Sequence, residues 1–124
     1  MYTSNKFTSD LINSYAWDTA IVFIQNCGTN NKYSIQNSLN TSRLQTGTNF
    51  LSDTSKIDVQ CNIYDIVSNI MEWTTETSND SGLSCVDRGG SYYNSNYYTS
   101  NRRISNTTDS YASVGFRPIL YLNV

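Results

Sequence analysis

The chain has 124 residues, 38% of them hydrophobic and only 15% charged, with a formal net charge of -2. That length gives one domain, 1–124, built on a single core. The missing positive footprint excludes nucleic acid as a partner and disfavours an anionic membrane surface. No histidine is present, which excludes every mechanism needing imidazole as base or metal ligand.

Asn, Ser and Thr stand where an average chain, at roughly 25% charged residues, carries Lys and Glu. Such a surface suits hydrogen-bonding recognition rather than electrostatic capture. No apolar run approaches the roughly 18 residues that span a bilayer, and the opening MYTSNKFTSD has no signal-peptide core. A soluble chain with no visible secretion signal and no membrane insertion is expected. The cysteines, Cys27, Cys61 and Cys85, are odd in number and lack zinc spacing. They read as small apolar packing residues, or as one Cys61–Cys85 disulfide with a free thiol.

Thr8-Ser9-Asp10 supplies cap residues, and Leu11, Tyr15, Ala20, Ile21 and Ile24 follow at helical spacing up to Gly28. The pattern predicts an amphipathic helix over Ser9–Asn26, with Trp17 and Phe23 on its inner side. From Thr29 to Gln60 single hydrophobics are scattered through polar sequence, which predicts long loops with short strands or turns. Ile70–Thr74 and Ile119–Val124 read as strands. Gly89-Gly90 marks a close backbone approach, and Pro118 sits at a strand start or edge. The sum is an α+β domain: one main N-terminal helix, a small mostly antiparallel sheet and extensive loops.

Three segments in fixed order carry a family resemblance. Asp65–Thr74 (DIVSNIMEWT) resembles a D-x-x-G-N-V-W-E-W-T motif, Arg88–Tyr92 (RGGSY) resembles R-G-G-S-W, and Val114–Arg117 (VGFR) resembles I-G-F-R. Together they resemble the formylglycine-generating-enzyme, or sulfatase-modifying-factor, domain, a variant of the C-type lectin fold, over roughly Asn62 to Leu122. The resemblance implies a C-type-lectin-like fold. It also shows what is missing: the copper-binding cysteines of catalytic members align with Asn94 and Thr99, and a related branch's iron site needs histidine. No enzyme activity is expected.

The same resemblance implies a calcium site from the Asp65 carboxylate, the Ser68 and Ile70 carbonyls and Glu72. Oxygen-only ligation suits a hard cation. The alternative is that Asp65 caps a turn and Glu72 pairs with Arg88 or Arg117. Arg88, Arg102 and Arg117 fall on family arginine positions and read as scaffold, and Trp73 and Phe116 as core.

Between the second and third motifs lies a stretch rich in Tyr, Asn and Ser, YYNSNYYTSNRRISNTTDSY. Tyrosine offers contact area with two torsions to freeze, and Ser and Asn offer adaptable hydrogen bonds, the chemistry of antibody-like paratopes. Lectin-fold domains of this type serve as variable proteins of diversity-generating retroelements in phages and bacteria. There the varied positions lie between these motifs, and adenine replacement in an AAC codon yields Tyr, Asp, Ser and Thr. By position the ligand-binding candidates are Tyr93, Asn94, Asn96, Tyr97, Arg103, Ser105, Asn106, Asp109 and Tyr111. The expected role is recognition of a cell-surface glycan or protein receptor from a virion, phage tail or bacterial cell surface, as a homo-oligomer or part of a larger assembly. The alternatives are a solvated loop set packing on itself, a structural assembly component, and an oxidase of the same fold.

Overall fold

A computed structural model describes residues 4–28, 31–35, 59–67, 69–80, 82–91 and 96–123. Most of the loop expected over Thr29–Gln60, with Leu39, Leu44, Phe50, Leu51 and Ile57, lies outside the described residues, as do Ser68, Tyr92, Tyr93, Asn94 and Val124. The architecture is α+β: one α-helix among the described residues, the rest mostly strands.

The first element is a strand, β1 (Phe7–Leu11), which pairs antiparallel with the last, β8 (Pro118–Leu122), in the register Phe7↔Leu122 to Leu11↔Pro118. This corrects the helix expected from Ser9. The helix α1 spans Ser14–Cys27, and its N-cap is Asn13, whose Oδ1 accepts from the Ala16 N–H at 2.8 Å. Thr8, Ser9 and Asp10 are good cap residues, but a partner strand over a hundred residues away claims their backbone. The helix buries Trp17, Ile21 and Ile24, one stripe at i, i+4, i+7. Tyr15 and Phe23, expected inward, are 85% and 46% exposed. The Gly28 N–H closes the last turn on the Ile24 carbonyl at 2.8 Å.

A two-residue hairpin joins β2 (Val59–Gln60) to β3 (Ile63–Tyr64), with Cys61 and Asn62 both left-handed at φ 53 and 62, the requirement of a type I′ turn. The main sheet runs β6-β5-β4-β7, comprising β4 (Met71–Asp80), β5 (Leu83–Arg88), β6 (Arg102–Ser105) and β7 (Val114–Phe116). Its pairings are antiparallel except β4 with β7. Pro118 opens β8, as expected of the sole proline.

The core joins α1 to the bend before β4 through Ile12, Trp17, Ile21, Ile24, Tyr33, Ile66 and Val67. Trp17 is fully buried, and its indole N–H donates to the Thr99 carbonyl at 3.3 Å, tying helix to C-terminal half across 82 residues. Gly89 makes the close approach read from the sequence: at φ +87, a Cβ there would lie 2.6 Å from the Ile66 carbonyl and 3.0 Å from the Trp17 ring. The sheet face toward α1 is held by charge. Arg88 pairs with Asp18 and Glu76, and Arg102 with Glu76.

Two expectations fail here, Phe116 as core and the Cys61–Cys85 disulfide alternative. Phe116 is 68% exposed rather than core, because β7 presents it on the side away from α1. All three cysteines are free; Cys85 lies opposite Thr77 and Ser105 in the sheet, while Cys61 lies in the β2–β3 turn near Gly28.

Candidate functional site

In-register residues of neighbouring strands project from the same face of a sheet. Trp73 of β4 is in register with Phe116 of β7 on one side and Asp87 of β5 on the other, and Asp87 with Arg103 of β6. The four side chains form one row across the face opposite α1. Asp87 is fully buried. The Arg103 Nε donates to both its oxygens, at 3.0 and 3.1 Å, and Nη2 donates to Oδ2 at 2.6 Å. The Ser105 hydroxyl donates to the same oxygen at 3.3 Å. This two-pronged geometry fixes the guanidinium plane.

Tyr111 lies against that plane, with the Arg103 Cζ 5.1 Å from its ring centroid, within cation–π range. The hydrogen bonds that Arg103 donates to Asp87 hold the guanidinium above its ordinary value; burial opposes that, and the carboxylate's charge, Tyr97 and Tyr111 reinforce it. Tyr97, Arg103 and Tyr111 therefore belong to one cluster.

The turn after β6 is rigid for local reasons. The Asp109 carboxylate accepts from the Asn106 N–H at 2.9 Å, the Asn106 side chain accepts from the Thr108 N–H at 3.3 Å, and the Asp109 N–H returns to the Asn106 carbonyl at 3.1 Å. Such side-chain-to-backbone bonds pin a turn without a ladder. Asp109 and Thr107 overhang a cavity of about 250 Å³ whose other walls include Trp73, Cys85 and Leu11.

The nine ligand candidates thus separate. Tyr97, Arg103 and Tyr111 cluster, and Asn106 and Asp109 build the adjoining turn. Asn96 lies exposed in a turn. Ser105 is buried beneath the patch, anchoring Asp87. Tyr93 and Asn94 lie outside the described residues. Sequence reasoning missed Asp87, and it read Trp73, half-buried at the cavity wall, as plain core. In a chain with so few charges, an Asp and an Arg inside short strands were the available signal.

At the bend before β4, Asp65 is buried and left-handed at φ 55. Arg117 donates to both Glu72 oxygens, at 2.8 and 2.6 Å, and to the Tyr64 carbonyl at 2.8 Å. Burial raises Glu72 above its ordinary 4.5 despite Arg117, and the nearby Asp65 charge pushes the same way. Glu72 thus pairs with Arg117, one of the two partners expected of it, while Ser68, an expected calcium ligand, lies outside the described residues. Among the described residues no group of three His, Cys, Asp or Glu side chains could hold a metal ion. No described helix is long and apolar enough to cross a membrane.

In comparisons with known proteins, no family model, no curated protein and no solved structure matches the chain.

Proposed function

We propose that this chain is a non-catalytic binding domain with a C-type-lectin-like frame of the formylglycine-generating-enzyme type. It recognises a glycan or protein receptor through the Tyr/Asn/Ser-rich surface, on a phage particle or bacterial surface assembly. The observation that carries the reading is Arg103, locked by buried Asp87 and faced by Tyr111 beside Tyr97. A guanidinium already frozen in place spends little entropy when a ligand's oxygens arrive, and tyrosine rings add contact area at low cost in torsional freedom. Ring faces beside hydroxyl, amide and guanidinium donors also match sugars.

The adjacency of the three resembling segments supports the proposed frame. Glu72 is in register with Arg88 on one side and with Gly115 on the other, so the W-E-W-T-like, R-G-G-S-like and G-F-R-like segments lie on neighbouring strands.

A screen of immobilised glycans and bacterial cell surfaces tests the reading, run with the unchanged protein and a Tyr97→Ala/Tyr111→Ala variant. The variant should lose at least about tenfold in affinity, the order expected for aromatic anchors, with the melting temperature nearly unchanged. Absence of binding to any glycan or cell surface, or binding indifferent to these rings, would count against it.

A further inference from the structure

The last strand is apolar on both faces, yet among the described residues only one face is covered. Ile119 packs against the core, and the Tyr121 hydroxyl accepts from the Asn13 amide at 2.9 Å. On the other face Phe116, Pro118, Leu120 and Leu122 alternate outward, with Phe116, Leu120 and Leu122 exposed by 68%, 59% and 75%. An antiparallel ribbon with one wet side normally puts polar residues there. A contiguous apolar row in their place marks an interaction surface.

The backbone says what kind of partner fits. The Asn123 N–H bonds the Lys6 carbonyl and the Ile12 N–H bonds the Arg117 carbonyl, which sets the ladder between β1 and β8. In that register Ile119 and Tyr121 turn their backbone groups toward β1, and Leu120 and Leu122 turn theirs to the open edge. Among the described residues, nothing pairs with that edge. The outer edge of β1 is treated differently. Ser4 bonds both the N–H and the carbonyl of Phe7, and the Asp10 carboxylate takes the Leu11 N–H. One edge of the ribbon is blunted and the other left open, without the lysines that usually guard such a strand.

We infer that β8 is a homodimerisation edge, pairing antiparallel with β8 of a second copy and setting the Leu120 and Leu122 side chains of both copies against one another as cross-strand neighbours. The strand is its own complement. Two-fold antiparallel pairing matches each Leu120 or Leu122 donor with an acceptor on the same stretch of the other copy, the self-matching that a two-fold interface needs. Pro118 has no N–H to offer, which leaves a pairing centred near Tyr121 undisturbed. No charge lies between Pro118 and Val124, and a net charge of -2 gives two copies little reason to repel.

Sedimentation equilibrium over a wide concentration range, with residue-level amide exchange, tests the inference. The unchanged protein should form a dimer in which the Leu120 and Leu122 amides are protected. A Leu120→Lys/Leu122→Lys variant, altered only at exposed positions, should raise the dissociation constant at least about tenfold. It should expose those two amides while Tyr121, bonded toward β1, stays protected. A monomer at every concentration, a dimer insensitive to the double change, or free exchange at Leu120 and Leu122 within the dimer would overturn it; a foreign strand as the natural occupant would give the first result. The exchange pattern of the unchanged protein decides the matter even if the variant folds poorly. A Tyr97→Ala/Tyr111→Ala protein should still dimerise, which separates this inference from the receptor reading.

Discussion

Arg117 and Glu72, 45 residues apart, meet in a two-pronged pair: Nε donates to Oε2 at 2.8 Å and Nη2 to Oε1 at 2.6 Å. The pair joins β4 to the link between β7 and β8, so one buried carboxylate couples the main sheet to the terminal ribbon. Both partners are perturbed. Burial outweighs the guanidinium and leaves Glu72 raised above 4.5. Arg117 is raised above its own ordinary value, because the Glu72 hydrogen bond and charge overcome burial.

A raised carboxyl fixes the sign of a pH effect. The folded state holds the Glu72 proton more tightly than the unfolded chain does. Its contribution to stability is therefore complete below the ordinary value of 4.5 and is lost as pH rises through the folded-state value. Urea unfolding of the unchanged protein and of Glu72→Gln across this range should show the stability advantage of glutamate shrinking as pH increases. An advantage that widens would mean that pairing with Arg117 dominates burial.

Removing Arg103 should cost more than its half-exposed position suggests. Arg103→Ala leaves the fully buried Asp87 with only the Ser105 hydroxyl among the partners described here, and an uncompensated buried charge costs about 3 kcal/mol. Adding Asp87→Asn should recover part of that loss by removing the charge. Chemical denaturation of the single and double variants measures both effects.

Two left-handed glycines allow conformation and crowding to be separated. Gly82, at φ +81, has nothing within 4 Å of where a Cβ would stand, whereas Gly89, at φ +87, meets Ile66 and Trp17. Gly82→Ala should cost about 1 kcal/mol, the strain of the backbone alone. Gly89→Ala should cost roughly 3 kcal/mol or more, because the Trp17 core must also shift.

All three thiols should take up alkylating reagent without prior reduction, read as three adducts in the intact mass. Cys27, the exposed one, should react first, ahead of the half-buried Cys61 and Cys85.

Particular residues show how far the sequence could be read. The Trp17–Ile21–Ile24 stripe, the strands beginning near Met71 and Pro118, and the tight packing at Gly89 all follow from periodicity or from backbone freedom, which are local properties. The start of the helix did not, because Thr8 to Asp10 obey a partner strand at the far end of the chain. Phe116 was misplaced for the same reason: hydrophobicity suggests burial, but only the parallel pairing with β4 shows which side it faces. At the candidate site Arg103 and Tyr111 were legible as chemistry. Asp87 was not, because its role depends on a strand register that no short window contains.

The ribbon of β1 and β8 also bears on how the molecule reaches its native state. Thr8 touches Asn123 across 115 residues, and contacts of such long sequence separation slow the search for structure. The contacts within α1 are local, whereas the pairing of β1 with β8 is the longest-range one among the described strands. A chain still emerging from the ribosome must leave β1 unpaired until β8 has been made.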